Sequence, residues 1–244
     1  MSQQPFQFKK FKVHQDRCAM KVGTDGVLLG AWSSIEHEPK SILDIGAGTG
    51  VIALQLAQRS SASTIDAIEI DDQAHEQCTH NFENSDWADR LFCYHASVQE
   101  FASEMEHKYD LIVSNPPFFK APKNTGSQTQ NISQERAVAR FTDTLPFKHL
   151  VVCAAHLLSQ NGVFCTILPH KEADSFIEIA AQNKLFISKI CTIRGIKTSK
   201  IKRCMLAFSL HQSKPKTQEL IIEVSRHNYT QDYKNLVRDF YVKM

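Results

Sequence analysis

A strand–turn–helix–strand unit in the first third of the chain constrains the fold more than any other feature. The apolar run Ser41–Ile45 predicts a buried strand, residues 46–50 contain three glycines, and residues 51–58 show helical periodicity. Residues 64–68 predict a second buried strand. Glycines in a strand-to-helix turn let the backbone approach a ligand closely. The unit predicts a doubly wound α/β fold with ligands bound at the carboxyl ends of parallel strands.

The acid after the second strand indicates which ligand the glycine turn binds. Glu69 follows Gly50 by nineteen residues, the distance at which an acidic group reaches a ribose diol. A dinucleotide site prefers G-x-G-x-x-G, but here the third glycine comes one position early and Asp44 precedes the turn. An anion there disfavours a pyrophosphate, so we expect the cationic S-adenosylmethionine rather than NAD. The residues predicted to bind it are Lys21, Thr24, Asp44, Gly46, Gly48, Gly50, Glu69, Ile70, Ser97, Val98 and Asn115.

A second turn follows a buried strand predicted at 111–113. Asn115 precedes two prolines and an aromatic residue, and proline fixes φ and lacks an N–H, so this turn should be stiff. It would hold two acceptors, the amide of Asn115 and the carbonyl of Pro116, beside a stacking ring, which suits an exocyclic amine on a flat ring. We predict the catalytic residues Asn115, Pro116, Pro117 and Phe118. The alternative is a strand end with a proline turn and a core Phe.

The sequence leaves two interpretations open at each of two sites, Ser97 and the turn at 23–26. Ser97 follows the strand predicted at 90–96 and either bonds an adenine ring or caps the next helix, because Ser97 and Glu100 fit a capping box. Residues 23–26 form a turn before a short helix. There, Thr24 or Asp25 either caps the helix or closes one side of the cofactor cleft.

Basic residues cluster in two segments. The polar residues 120–140 exceed the usual length of a connection, and we expect a substrate-gated loop. Strands predicted at 185–194 and 202–211 form an antiparallel hairpin at the sheet edge. Its cationic tip is either a solvated turn or a phosphate-binding site. The residues predicted to bind RNA are Lys120, Lys123, Arg136, Arg140, Arg194, Lys197, Lys200, Lys202 and Arg203. A further strand at 219–224 and a closing helix at 229–241, packed through Leu236, Val237 and Phe240, complete the chain.

Composition excludes several classes of protein. The chain has 244 residues, a net charge of +2 and seven widely spaced cysteines without a C-x-x-C, which is typical of a reduced cytoplasmic protein without a zinc site. We expect no metal, no secretion and no membrane span. We predict a monomer with one domain at 1–244. It comprises a hairpin and helix extension at 1–40, a Rossmann-like core at 41–212, and a strand and helix at 213–244.

The two turns occur together, in order, as in class I N6-adenine methyltransferases, whose motif is [DNS]-P-P-[YFW]. Residues 17–32, RCAMKVGTDGVLLGAW, and the C-terminal Tyr229, Tyr233 and 239–241 closely resemble the bacterial tRNA1(Val) adenine-37 N6-methyltransferases. The resemblance implies a seven-stranded, mostly parallel sheet with an antiparallel final hairpin and helices on both faces. It also implies S-adenosylmethionine as donor and a tRNA adenine as acceptor. Many of these proteins carry Asp where this chain has Ser97.

These residues suggest direct in-line methyl transfer without a strong base. Asp44 would hold the methionine end of the donor, Glu69 its ribose, and Asn115 the acceptor amine. A glutamine N5-methyltransferase acting on a protein uses a similar turn, and a non-catalytic RNA-binding module of the same fold is a second alternative. Binding to bulk tRNA at graded salt separates the first from an RNA enzyme. Labelled-methyl incorporation separates the second.

Overall fold

The computed structural model describes residues 4–117 and 146–244. The strands within these ranges are β1 (Phe6–Gln7), β2 (Lys12–Val13), β3 (Ser41–Ile45), β4 (Thr64–Glu69), β5 (Leu91–His95), β6 (Tyr109–Ser114), β7 (Leu158–Pro169), β8 (Phe186–Ile196), β9 (Arg203–Ser209), β10 (Lys216–Ser225) and β11 (Asn228–Tyr229). The helices are α1 (Thr24–Trp32), α2 (Val51–Arg59), α3 (Asp72–Glu83), α4 (Val98–Glu104), α5 (Phe147–Leu157), α6 (His170–Gln182) and α7 (Gln231–Val237).

The main sheet has the order β11-β10-β8-β9-β7-β6-β3-β4-β5. Strands β5, β4, β3, β6 and β7 are parallel, and β9 is antiparallel to both β7 and β8. These seven strands are the predicted mostly parallel sheet with its antiparallel hairpin, which confirms the predicted fold class. Strand order reverses between β3 and β6, so the ends of those two strands open on one crevice.

Two further strands extend this sheet. β10 pairs in parallel with β8, and β11 pairs antiparallel with β10. The prediction that the β8–β9 hairpin forms the sheet edge was therefore wrong. An eleven-residue strand exposes a long row of unpaired backbone groups, and the ten-residue β10 covers them. The predicted strand at 219–224 is the central part of β10.

Helices cover both faces of the sheet, as predicted. One apolar cluster joins α1, α2, α3 and α7 to the sheet, and a second joins α4, α5 and α6 to its other face. The closing helix predicted at 229–241 is shorter than expected, because Tyr229 pairs in β11 and α7 ends at Val237. The predicted packing is confirmed: Val237 and Phe240 are buried and Leu236 packs against the first cluster.

The N-terminal residues form the short hairpin β1–β2 with exposed lysines, as expected, separate from the main sheet. Phe8 forms a β-bridge with Tyr241 and stacks on it, with ring centroids 5.9 Å apart. The Lys9 ammonium also donates to the Arg238 carbonyl at 2.5 Å. The two ends of the chain are thus joined on the face that holds α1 and α7. All seven cysteines are free.

Candidate active site

The two predicted turns leave neighbouring strands at the same end of the sheet. Ile45 of β3 and Ser114 of β6 are Cα partners in parallel register, and the Ser114 hydroxyl donates to the Ile45 carbonyl at 2.9 Å. Gly46 and Asn115 are the next residues of these strands. Adjacent strands lie about 4.8 Å apart, so the glycine turn and the proline turn begin side by side. The structure therefore brings both motifs to one crevice.

The glycine turn is held in a backbone conformation that other residues rarely adopt. Gly46, Gly48 and Gly50 have φ values of 73°, 56° and 77°. A Cβ on Gly50 would lie 2.5 Å from the Phe82 ring and 2.8 Å from the Cys78 sulfur, so this glycine is required for packing under the turn. A Cβ on Gly46 or Gly48 would meet no described heavy atom within 4 Å. Those two glycines therefore present bare backbone to the crevice, which fits a closely bound ligand.

Glu69 supports the same turn from the end of β4. Its Oε2 accepts a hydrogen bond from the Gly48 N–H at 2.8 Å, and its Oε1 accepts from the N–H groups of Ile70 and Asp71, each at 2.9 Å. The side chain is 9% exposed. Because each carboxylate oxygen has two lone pairs, Oε2 keeps an acceptor site. Glu69 can thus shape the turn and still accept from a diol.

Asp44 lies fully buried behind the turn. Its Oδ2 accepts from the Ala53 N–H at 3.2 Å, and its Oδ1 has no partner among the described residues. Burial, and to a smaller extent the Glu69 carboxylate, raises the pKa of Asp44 to about 7, despite the opposing effect of the Ala53 hydrogen bond. A cation bound near Oδ1 would satisfy both the charge and the orphaned oxygen. The Asp44 carboxylate therefore fits the ammonium end of S-adenosylmethionine.

Asn115 presents a similarly orphaned acceptor at the start of the proline turn. Its Oδ1 is buried and accepts no hydrogen bond from any described residue. Pro116 is buried and Pro117 half-buried. A buried amide oxygen without a donor costs about 1–3 kcal/mol, so a donor bound there would remove this cost. Phe118, the predicted stacking ring, lies outside the described residues.

At the start of helix α1, the capping interpretation of Thr24 and Asp25 is wrong. Gly23 is the N-cap residue, without a side-chain cap hydrogen bond, and Thr24 and Asp25 lie in the first turn. Instead of capping, Asp25 accepts from the Arg203 guanidinium at 2.7 Å. This ion pair links α1 to β9 across 178 residues of sequence, a contact that no local pattern predicts. Lys21 precedes the helix and is exposed.

At the end of β5, the capping interpretation of Ser97 is confirmed. The Ser97 hydroxyl accepts from the Glu100 N–H at 3.2 Å and donates to the Glu100 carboxylate at 2.7 Å. Its one hydrogen is thus committed, which leaves no donor for an adenine ring. Val98 is buried in the core, whereas Ile70 is 53% exposed beside Glu69. An exposed apolar side chain there offers a face for a flat ring.

The predicted RNA-binding cations divide into three groups. Lys197, Lys200 and Lys202 are exposed at the β8–β9 tip and form no ion pair with any described residue. Arg194 is bonded to the Glu219 carboxylate at 2.6 Å, and Arg203 to Asp25, so their charges are partly balanced. The third group, Lys120, Lys123, Arg136 and Arg140, lies outside the described residues.

Neither a metal centre nor a membrane span is found in the described part of the chain. Within 4–117 and 146–244, no three His, Cys, Asp or Glu side chains are grouped to hold a metal ion. No helix in those ranges has the length and apolar character needed to cross a bilayer.

Two solved structures with a similar fold are named as methyltransferases. A predicted O-methyltransferase of Agrobacterium tumefaciens superimposes with a TM-score of 0.67 at 16% identity, over 88% of this chain and 96% of the other. A putative class I S-adenosylmethionine-dependent methyltransferase of Listeria monocytogenes gives 0.53 at 13% identity, over 80% and 62%. These likenesses establish the fold.

Sequence comparison is more specific. Residues 25–145 match the family model "Methyltransferase small domain". A tRNA1(Val) (adenine(37)-N6)-methyltransferase of Christiangramia forsetii is 54% identical over all of both chains. A protein of that name from Yersinia enterocolitica is 40% identical over 97% of this chain and 92% of its own. With such identity over its full length, the chain belongs to the tRNA1(Val) (adenine(37)-N6)-methyltransferase family.

Proposed function

We propose that this protein methylates N6 of adenine 37 in the anticodon loop of tRNA1(Val), with S-adenosylmethionine as donor. The observation that carries the proposal is the parallel register of Ile45 with Ser114. It starts the glycine turn and the proline turn one strand spacing apart, as direct transfer between their ligands requires. The names of the full-length relatives supply the substrate.

The donor supplies, when bound, a methyl group on a cationic sulfur. Asp44 is the residue that would hold its ammonium, because the buried Oδ1 lacks a partner among the described residues. Glu69 would accept from the ribose hydroxyls, and the bare backbone of Gly46 and Gly48 would line the approach.

Asn115 orients the acceptor. The adenine amine is a weak nucleophile because its lone pair is delocalised into the ring. Two acceptors, Asn115 Oδ1 and the Pro116 carbonyl, would take the two N6 hydrogens and turn the lone pair toward the methyl group. Orientation of this kind contributes up to ~7–11 kcal/mol in favourable model reactions. Phe118 would stack on the ring, and no strong base is required.

The base must leave the loop to reach the proline turn. Extrusion costs little where a base is already unpaired, which is the case in an anticodon loop. We place the enzyme in the cytoplasm, where its tRNA is, and propose that it acts as a monomer without a metal.

The test is a methyl-transfer assay with labelled S-adenosylmethionine and tRNA from a strain that lacks the protein. We expect label in N6-methyladenosine of tRNA1(Val), identified by mass spectrometry of nucleosides, and none in a transcript with guanine at position 37. In a parallel assay with protein extract of the same strain, label in glutamine would instead establish the glutamine methyltransferase alternative. If neither tRNA nor protein receives label while the protein still binds RNA, the protein is a non-catalytic RNA-binding module.

A further inference from the structure

The turn between β10 and β11 lies at the same end of the sheet as the crevice. β8 and β10 run parallel, with Glu223 opposite Ile196, and β8 runs in the direction of β7 because both are antiparallel to β9. The chain therefore turns after β10 where it also turns after β6 and β8. Arg226 and His227 are exposed in this turn. Neither residue belongs to the predicted RNA-binding set, and both lie between the two strands added to the seven-stranded core.

The crevice end of the sheet is divided by charge. Its acidic half, after β3 and β4, consists of Asp44, Glu69, Asp71 and Asp72. Its basic half, after β8 and β10, consists of Lys197, Lys200, Lys202 and Arg226, none of which forms an ion pair with a described residue. The acid nearest to Arg226 in the sequence is Glu223 of β10, whose Oε1 accepts from the His227 N–H at 3.2 Å. The basic half suits a polyanion.

The position of Arg226 sets how far along an RNA it can reach. Four strand-to-strand steps separate β6 from β10 in the sheet order. At about 4.8 Å a step, Arg226 lies roughly 19 Å from the proline turn. A stacked strand advances about 3.4 Å per nucleotide, so this distance corresponds to roughly five to six nucleotides.

We propose that the β10–β11 turn contacts, through Arg226, a backbone phosphate of the substrate RNA several nucleotides from the methylated base. The proposal rests on the function proposed above and deepens it, because it makes the enzyme contact RNA beyond the methylated base and its immediate neighbours. The two added strands then serve recognition as well as covering the edge of β8.

The test compares Arg226→Gln with Lys216→Gln. Both residues are exposed cations, but Arg226 directly follows β10, whereas Lys216 begins it at the opposite end of the sheet, about 30 Å away. With full-length tRNA we expect Arg226→Gln to raise Kd and KM about three- to tenfold and to lower the salt slope of binding by about 0.7–0.9. Lys216→Gln should change neither, and kcat and cofactor affinity should be unchanged in both variants.

A short oligonucleotide that extends no more than two nucleotides on either side of the target adenine provides the second arm. Wild type and Arg226→Gln should bind it equally, because it does not extend to the β10–β11 turn. Equal loss on both RNAs, or no difference between the two variants on tRNA, would overturn the proposal. Arg226-dependent tRNA binding without methylation would refute the proposed function but not the contact. Failure of the wild type to bind tRNA would refute both.

Discussion

The acidic and basic halves of the crevice end differ in how their charges are held. In the acidic half, Asp44 is fully buried and Glu69 nearly so, each fixed by backbone N–H groups. In the basic half, the cations are exposed on turns. A small cation bound once at fixed geometry needs preorganised anions, whereas a long polyanion needs only nearby positive charge. A net charge of +2 hides this division, because the two halves largely cancel.

Asn115 lies between the two halves, and its loss should have the largest effect. Asn115→Ala removes an acceptor that we propose orients the amine, so we expect turnover to fall at least about 100-fold. Cofactor affinity should stay within about twofold, because the Asp44 and Glu69 hydrogen bonds do not involve Asn115. Single-turnover methyl transfer and calorimetric titration of the cofactor measure the two quantities.

The matched control is Asn84→Ala, at the exposed C-cap of α3. It should leave turnover unchanged. If Asn115→Ala also retains its turnover, the amide has no part in orienting the acceptor.

Asp44→Asn should weaken cofactor binding, which Asn115→Ala should leave nearly unchanged. Loss of a charge-assisted contact costs about 1.5–3 kcal/mol, so cofactor Kd should rise about 10- to 100-fold while tRNA affinity stays the same. Asp66→Asn provides the control, because Asp66 is also a buried aspartate of the sheet but accepts from the Tyr109 hydroxyl instead. Equal weakening of cofactor binding by both substitutions would show a general loss of fold rather than a lost contact.

The same carboxylate predicts how stability depends on pH. Since burial raises the pKa of Asp44 from 3.8 to about 7, the folded state binds the proton more tightly than the unfolded state. The contribution of Asp44 to the free energy of unfolding is therefore present below about pH 4 and is lost as pH rises toward 7. Wild type without cofactor should lose on the order of 2–4 kcal/mol relative to Asp44→Asn over this range. Urea unfolding at several pH values measures the difference, and parallel curves would contradict it.

Local patterns predicted most of the fold. Apolar runs and glycine spacing placed β3, β4, β6 and β7, and their parallel order followed from the alternation of strands with helices. The partner of β8 was not predictable, because which strand covers an edge depends on contacts between distant segments. The cap of α1 failed for a similar reason: Asp25 bonds Arg203, and that partner is remote in sequence.

In the candidate site too, local pattern was predictable from sequence and contacts between distant segments were not. Sequence predicted that Asp44, Gly48, Glu69 and Asn115 converge, because each stands at the end of a parallel strand. Sequence could not show that the Oδ1 atoms of Asp44 and Asn115 lack described partners, since this depends on packing around each atom. Nor could it show that Arg226 shares the crevice end, because that requires the direction of β10.

Ser97 provides the smallest and most discriminating test of the acidic half. Removing an N-cap hydroxyl costs about 1 kcal/mol, so Ser97→Ala should lower stability by that amount. Cofactor Kd should change by less than about twofold, because the only hydrogen of this hydroxyl is donated to Glu100. Urea unfolding and cofactor titration measure the two effects. If cofactor Kd instead rises more than about tenfold while stability is unchanged, Ser97 leaves its capping position to contact the adenine. The acidic half would then be less preorganised than its hydrogen bonds indicate.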